Sequence, residues 1–206
     1  MNKKSDFILQ IDASNPDPRV IEKAADIVRQ GGLVVFPTET VYGIAVMYGN
    51  SKAVERLYRV KRRKPDKPLT VHISSSSSID SYGCIISDNA RILMNRYWPG
   101  PLTLVLPLLS GEGTLGFRLP DHPVALALID AVGGGVFAPS ANLSGSKSPV
   151  TAGEAYEQFG NEIDMYIDAG KTGYGKDSTV IDMTGDKPVI LREGALSKDV
   201  VFSAIL

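Results

Sequence analysis

The sequence predicts an α/β or α+β domain in which helices flank a mixed β-sheet. Apolar segments with helical spacing are interleaved along the chain with short apolar runs of strand length. The strand patterns do not alternate strictly with the helices, and this order favours a mixed sheet over a purely parallel one. With 206 residues, 43% hydrophobic content and no clear internal boundary or repeat, the chain is expected to form one domain over residues 1–206.

Two helices and two buried strands are predicted in the first third of the chain. Asp17-Pro18 supplies an N-cap and a first-turn proline, apolar residues follow at helical spacing, and Gly31-Gly32 ends the helix. Residues 33–36 and 43–46 are short apolar runs typical of buried strands. Ser51 begins a second helix with one apolar face, which leads into a strongly basic segment.

Strands, a helix and a loop are predicted in the middle of the chain. Residues 69–73 alternate apolar and polar side chains, as expected for a strand with one buried face. The five serines at 74–78 predict a loop. Ser87-Asp88 caps a helix that Pro99-Gly100-Pro101 breaks. Two further alternating strands are predicted at residues 102–106 and 115–119.

The last third again mixes helices with strands. Asp121-His122-Pro123 opens a helix that three consecutive glycines close at residues 133–135, and a buried strand follows at 136–138. Thr151 and Glu154 form a capping-box pattern before another helix. Ser197 caps a short final helix. The remaining predicted strands lie at residues 163–167, 179–183 and 189–191.

Composition excludes several classes of function. The single cysteine, Cys84, allows neither a disulfide framework nor a cysteine-based metal site within the chain. His72 and His122 lack metal-ligand spacing, so no metal ligand is assigned to a protein side chain. No apolar region follows the basic N-terminus, and no apolar run approaches the roughly 20 residues that cross a membrane. We therefore expect a cytoplasmic protein with no membrane partner.

A dense basic run is the most informative local feature. Five cationic side chains fall within residues 61–67, although the formal net charge of the whole chain is only -1. A helix end, a proline-bounded basic loop and a strand together form a plausible cradle for phosphate groups. The alternative is a solvated helix C-terminus, where Lys and Arg complement the helix dipole.

Three polar loops adjoin predicted strands, at residues 37–43, 139–145 and 173–179. Loops at strand ends are where sheet proteins usually bind their ligands. Ordinary turn chemistry is the alternative, because Ser, Asn and Gly are common turn residues. The glycine-rich segment at 170–176 is a candidate lid over such a site.

Isolated polar residues stand opposite the leucines on the alternating strands. They are His72, Thr103 and Arg118, and Arg192 follows the last strand. A solvent-facing position is the simpler interpretation of His72 and Thr103. The planar fork of Arg118 suits a carboxylate or phosphate. Together with the basic run, these residues indicate a cationic, hydroxyl-rich site for an anionic ligand.

Motifs typical of nucleotide-binding loops and of catalytic nucleophiles are either incomplete or stand among residues that do not fit those functions. Residues 111–116 match a dinucleotide fingerprint in letters, but a strand pattern follows them where a helix is required, so a hairpin-like loop is predicted. A P-loop ending at Gly170-Lys171-Thr172 would need glycine where Met165 stands. Ser140 and Ser144 lack the nucleophile-elbow sequence. No activated nucleophile is identified.

Seven short motifs, in this order along the chain, resemble those of the YrdC-type family, which contains the threonylcarbamoyl-AMP synthases. The motifs are Pro37-Thr38-Glu39-Thr40-Val41-Tyr42-Gly43, Lys61-x-Arg63, Trp98-Pro99-Gly100-Pro101-Leu102-Thr103, Arg118-Leu119-Pro120, Ser140-Ala141-Asn142, Ser178-Thr179-Val180 and Leu191-Arg192-Glu193-Gly194. The match covers a core of about residues 15–195. The chain resembles the short, single-domain form of the family, because no additional domain follows residue 206.

The resemblance implies a fold and a reaction. The fold would be a twisted mixed sheet flanked by helices, with a concave, positively charged cavity. The reaction would be that of a nucleotidyltransferase, which converts L-threonine, bicarbonate and ATP to threonylcarbamoyl-AMP and pyrophosphate, with Mg²⁺ beside the ATP. Downstream transfer proteins would then move the threonylcarbamoyl group to adenosine 37 of ANN-decoding tRNAs.

The resemblance also implies roles for individual residues. The threonine contacts would come from Thr40, His72, Arg118 and Ser178. The ATP contacts would come from Lys61, Arg63, Lys67, Thr103, Ser140, Asn142, Ser148 and Arg192. Within this set, Lys61 and Arg63 would act on the triphosphate, and Ser140 and Asn142 would orient the nucleotide near its α-phosphate. These four would carry catalysis by positioning and charge stabilisation.

Three other functions stay open at this point. A protein of the same fold without adenylate-forming activity would bind double-stranded RNA or tRNA in the basic groove, although aromatic residues make up only 7% of the chain. A branch of the family that lost or changed its activity would be expected to depart from Lys-x-Arg or Ser-x-Asn, and this chain keeps both. A carbamoyl-adenylate-forming domain that uses carbamoyl phosphate usually lies within a much longer protein.

Overall fold

In the described part of the chain, six α-helices begin where the sequence supplies a polar cap. In the computed structural model, which describes residues 7–205, the side chain of Asp17 accepts the amide of Arg19 at the start of the first helix. Ser87, Thr151 and Ser197 cap later helices in the predicted way. The helices are α1 (Pro18–Arg29), α2 (Ser51–Val60), α3 (Asp88–Tyr97), α4 (Pro123–Val132), α5 (Ala152–Phe159) and α6 (Lys198–Phe202).

Within residues 7–205, ten short strands form where apolar or alternating runs were predicted, with one addition at the N-terminal end. The strands are β1 (Ile8–Gln10), β2 (Val34–Phe36), β3 (Gly43–Met47), β4 (Thr70–His72), β5 (Leu102–Pro107), β6 (Thr114–Arg118), β7 (Val136–Phe137), β8 (Met165–Asp168), β9 (Thr179–Asp182) and β10 (Val189–Arg192). β5 and β6 pair antiparallel, so the hairpin predicted around residues 111–116 is confirmed, but its loop lies at residues 108–113 because 114–116 already belong to β6.

The strands join in one mixed sheet with the order β1-β8-β2-β3-β7-β4-β6-β5-β9-β10. Four pairs are parallel: β1 with β8, β8 with β2, β4 with β6, and β5 with β9. The other five pairs are antiparallel. Neighbouring strands are often far apart in sequence, so the sheet brings distant segments together. The predicted mixed α/β fold is confirmed.

Helices cover both faces of the sheet. Val34 and Phe36 of β2 pack with α1 and α4, whereas Val35 packs with α2 and α5. Burial on both faces explains why β2 is a continuous apolar run. A third apolar cluster joins α3 and α6 to the leucines of β5. The sheet is therefore the central layer, and none of the helices in residues 7–205 is long and apolar enough to span a membrane.

Three local predictions differ from the structure. The serines predicted as a loop enter a 3₁₀ helix, Ser76–Tyr82, because Ser75 caps it and Ile79 is buried beneath it. β8 begins at Met165, two residues later than predicted. The residue before it, Asp164, accepts the amide of Leu33 with its side-chain carboxylate at 2.7 Å, where a continued strand would supply a backbone carbonyl. β1 was not predicted, because three residues give no recognisable period.

Candidate functional site

A polar cavity opens where the ends of β4, β5 and β6 meet the loops that precede β3 and follow β7. Its wall contains three arginines and one aspartate among the described residues, so it is cationic. Its lining comprises Thr38, Val41, Tyr42, Gly43, Arg63, Pro68, Leu69, Thr70, His72, Thr103, Arg118, Ala138, Pro139, Ser140, Asp177, Ser178 and Arg192. These residues come from segments across the chain that the sheet order brings together.

The polar residues of the alternating strands point into this cavity. His72 and Arg118 are partners in the register of β4 with β6, and Thr103 lies on β5 next to them. Each is at least 96% buried, so the solvent-facing interpretation of His72 and Thr103 is wrong. The leucines of β5 fill the apolar cluster on the opposite face, and alternation therefore directs Thr103 to the cavity.

Arg118 is fixed by three partners. Its Nη2 donates to the hydroxyl of Thr40 and lies 2.8 Å from a carboxylate oxygen of Glu39. Its Nε donates to the carbonyl of Gly100 at 3.3 Å. The hydroxyl of Thr38 donates to the carbonyl of Val41 and accepts the amide of Thr40, which shapes the turn that presents Thr40 to Arg118.

His72 is held as a neutral imidazole. Burial lowers its pKa well below the usual value, and the positive charge of Arg118 acts in the same direction. Its Nδ1 is buried without a hydrogen-bond partner among residues 7–205. A neutral ring with a free nitrogen beside a guanidinium suits recognition of a polar ligand atom.

The Ser-x-Asn loop is internally bonded. The Ser140 hydroxyl donates to the side-chain oxygen of Asn142 at 2.6 Å, and the Asn142 amide group donates to the carbonyls of Leu143 and Ser146. Lys61 lies behind this loop with 1% of its surface exposed. Burial lowers the pKa of Lys61 to about 7, the charge of Arg63 contributes in the same direction, and Asp177 opposes both.

The basic run turns sharply at the end of α2. Arg62 adopts the left-handed conformation with φ of 49°. Its amide donates to the carbonyl of Arg59, and the Arg63 amide donates to that of Tyr58, which is the Schellman arrangement. Arg63 then lines the cavity, where its Nη2 donates to the Pro68 carbonyl at 2.8 Å. The turn thus places consecutive basic residues on different sides of the loop.

Ser178 connects β9 to two further site residues. Its hydroxyl lies 2.9 Å from that of Thr103 and accepts from Nη2 of Arg192 at 3.1 Å. Desolvation is the main cause of a lowered pKa for Arg192. The Ser148 hydroxyl reaches both carboxylate oxygens of Asp177, at 3.1 and 3.2 Å, in a pocket beside the main cavity.

The structure brings together most of the residues named from the sequence. Three of them are hydrogen-bonded to residues that line the cavity. Thr40 is bonded to Arg118, Asn142 to Ser140, and Ser148 to Asp177. The Lys67 side chain is exposed, and its recorded bonds are made by its backbone: the carbonyl accepts from Tyr58 and Arg63, and the amide donates to the carbonyl of Lys64. The members that line the cavity are Arg63, His72, Thr103, Arg118, Ser140, Ser178 and Arg192.

Two acidic residues of the site were missed from the sequence. Glu39 stands within a motif that was recognised, and its position next to Thr40 was the available signal. Asp177 precedes Ser178 in a glycine-rich loop, where a carboxylate is ordinary turn composition. No group of three or more His, Cys, Asp and Glu side chains within residues 7–205 could hold a metal ion.

Known proteins share this sequence pattern. The profile of the Sua5/YciO/YrdC family, described as "Telomere recombination", matches residues 26–194. The chain is 40% identical over 201 residues to the threonylcarbamoyl-AMP synthase of Bacillus subtilis, which covers 93% of this chain and 58% of that relative. It is 43% identical over 184 residues to the threonylcarbamoyl-AMP synthase of Pyrococcus abyssi, with coverage of 85% and 54%. The chain thus spans a little over half the length of these relatives.

A solved structure shares the fold. The crystal structure of P. abyssi Sua5 complexed with L-threonine superimposes with a TM-score of 0.91 at 39% identity, over 97% of this chain and 61% of that chain. The resemblance predicted from the seven sequence motifs is confirmed. Since the family profile matches most of the sequence and the architecture agrees with a solved member, the chain belongs to the Sua5/YciO/YrdC family.

Proposed function

We propose that the cavity binds L-threonine and ATP and forms threonylcarbamoyl-AMP, as a nucleotidyltransferase. The observation that carries the proposal is the convergence of Arg63, Arg118 and Arg192 on one cavity that also contains several hydroxyl groups. Guanidinium forks suit both the carboxylate of an amino acid and the phosphates of a nucleotide. The names of the B. subtilis and P. abyssi relatives support the choice of reaction.

The threonine site is proposed around Arg118. The described residues engage Nε and Nη2 of its guanidinium and leave Nη1 for the substrate carboxylate. Thr40, His72 and Ser178 surround this position and offer hydroxyl groups and a neutral imidazole for the remaining polar atoms of threonine. The threonine complex of the P. abyssi protein supports a threonine site in this fold.

The ATP site is proposed on the side of the cavity where Arg63 and Arg192 lie. Thr103 and Ser140 line the same cavity, and Asn142 is bonded to Ser140. Ser148 lines the neighbouring pocket, and the exposed Lys67 precedes the lining residue Pro68 and would gain its contact when ATP binds. Mg²⁺ carried by ATP would neutralise phosphate charge, and Asp177 is the lining carboxylate that fits a place beside it.

The residues present fit a reaction without a protein nucleophile. The threonine amine and bicarbonate give an N-carboxylate and water. An oxygen of that carboxylate then attacks the α-phosphorus of ATP, the bond to the β-phosphate oxygen breaks, and pyrophosphate leaves with its electron pair. The N-carboxylate is unstable in water, so the protein contributes shelter, orientation and positive charge at the phosphates.

We further propose that the product serves tRNA modification. Threonylcarbamoyl-AMP is an activated acyl group, and separate transfer proteins would pass it to adenosine 37 of ANN-decoding tRNAs. Direct contact with tRNA or other double-stranded RNA is the alternative use of the same cationic surface. Binding of RNA that survives saturating ATP would favour that alternative, because ATP and RNA phosphates would otherwise compete for the cavity.

The test is an omission experiment on the purified protein. ATP, Mg²⁺, bicarbonate and L-threonine are incubated with the protein, and pyrophosphate and the adenylate are measured by mass spectrometry. Product is expected only when both threonine and bicarbonate are present. Arg63→Ala should lose at least 10-fold of activity, about 1.4 kcal/mol of transition-state stabilisation, whereas exposed Lys52→Ala should not. Intact ATP binding without product would contradict the proposal.

A further inference from the structure

Lys61 is the most deeply buried of the charged side chains in residues 7–205, and its ammonium faces backbone carbonyls. Nζ donates to the carbonyl oxygens of Ser140 and Asn142, the second at 2.6 Å. The carbonyl of Lys61 accepts the amide of Ser144 at 3.0 Å. One residue therefore holds the loop at three points between positions 140 and 144.

The loop has further anchors on two other elements, since the Leu143 amide donates to the side-chain oxygen of Gln158 on α5 at 2.9 Å. Ser140 forms an antiparallel bridge with Gly43, and the Ala141 amide donates to the carbonyl of Tyr42. Lys61 fills the space beneath the loop. The Ser140 and Asn142 side chains can keep their mutual hydrogen bond in this orientation only while the backbone that carries them is held.

Lys61 is not among the residues that line the cavity, whereas Arg63 is. The left-handed turn at Arg62 separates the two, so that one points into the protein and the other towards the ligand space. Turning Lys61 outwards to a phosphate would remove the ammonium donor from both carbonyls: the Ser140 carbonyl would keep only the amide of Asn142, and the Asn142 carbonyl would lose its lysine partner. Loss of such bonds inside a protein is strongly disfavoured. The two basic residues of Lys-x-Arg thus have different surroundings.

We propose that Lys61 is a positioning residue: it fixes the backbone of residues 140–144 so that Ser140 and Asn142 meet the nucleotide, and it does not touch phosphate. The proposal rests on the ATP site proposed above, but it concerns how that site is built. Under this proposal the two residues of the Lys-x-Arg motif have different roles: Lys61 holds the backbone of the loop, and Arg63 contacts the ligand.

The first experiment measures backbone protection without any ligand. Hydrogen–deuterium exchange is compared between the wild-type protein and Lys61→Met, which keeps the length of the side chain and removes its donors. Amides at 141–146 should exchange at least 10-fold faster in the variant, and those of β4 should not change. Unchanged exchange at 141–146 would overturn the proposal. Because no substrate is present, failure of the proposed reaction would leave this result intact.

The second experiment compares the affinities for ATP and AMP by calorimetry. Lys61→Met should weaken both nucleotides by a similar factor, because the loop serves the part that they share. Arg63→Met should weaken ATP more than AMP, and exposed Lys52→Met should change neither. Loss of ATP affinity with unchanged AMP affinity in Lys61→Met would show direct contact with the outer phosphates and would overturn the proposal.

A measurement on the wild-type protein covers the case in which Lys61→Met does not fold. In ¹⁵N-lysine spectra recorded at a pH below the Lys61 pKa of about 7, an ammonium held by two backbone carbonyls should give a slowly exchanging Nζ resonance in the absence of nucleotide. That resonance should be at the same position with AMP and with ATP. A resonance that forms or moves with ATP alone would assign Lys61 to the phosphates instead.

Discussion

Arg118 and Glu39 form an ion pair inside the protein, with 5% and 11% of their side chains exposed. Burying such a pair costs the hydration of both charges, and removing one partner leaves the other uncompensated. We expect Arg118→Met to lower the free energy of unfolding by about 3–5 kcal/mol, measured by urea denaturation. Adding Glu39→Gln to that variant should recover part of the loss. Equal stability of the single and double variants would show that the stranded carboxylate is not the cause.

His72 makes the stability of the protein depend on pH. Burial lowers its pKa in the folded protein, whereas an unfolded histidine takes a proton near pH 6.5. As the pH falls below 6.5, the histidine is protonated in the unfolded state but stays neutral in the folded state. The free energy of unfolding therefore falls by up to about 1.4 kcal/mol per pH unit. Between pH 7 and 5, His72→Gln should lose less stability than the wild-type protein. A parallel pH dependence of the two would contradict this origin.

Some site residues could be predicted from the sequence, and others depend on distant pairing. Alternation within one strand placed Thr103 opposite the leucines, and this required only local information. Its hydroxyl contact with Ser178, however, follows from the pairing of β5 with β9. Asp177 was missed because a carboxylate in a glycine-rich loop is ordinary turn composition, and only the fold places it beside the arginines.

The turn at the C-terminal end of α2 determines the direction of the Arg63 side chain. This Schellman turn carries Arg62 in a left-handed conformation that glycine adopts more easily. Arg62→Gly should therefore raise the free energy of unfolding by about 0.5–1 kcal/mol, the difference between the left-handed penalty and the chain entropy of glycine. Arg59→Gly, in the last regular turn, should lower it by about 1 kcal/mol. Thermal unfolding of both variants measures the contrast, and destabilisation by Arg62→Gly would refute the account.

Element ends were predictable where a side chain acts on its own backbone. Asp17 and Ser87 cap within three residues of themselves, so the sequence contains all the information needed. β1 is different, because its three residues are extended only through pairing with β8, more than 150 positions away. The 3₁₀ helix after Ser75 likewise depends on burial of Ile79 beneath it.

At the scale of the whole molecule, one ten-stranded sheet connects every part of the described chain. We propose on this basis that residues 1–206 behave as a single YrdC-like domain. Urea unfolding should then show one transition, with coincident curves from far-UV circular dichroism and from the fluorescence of Trp98, which is 9% exposed. Transitions that separate between the two probes would contradict the single domain.

The walls of the cavity are contributed by positions from Thr38 to Arg192. A chain emerging from the ribosome could pack α1 and α2 against the early strands long before Asp177, Ser178 and Arg192 exist. The complete cavity can therefore form only after Arg192 has been synthesised. An interrupted translation product that ends before Asp177 would lack three of the lining residues and could not complete the cavity.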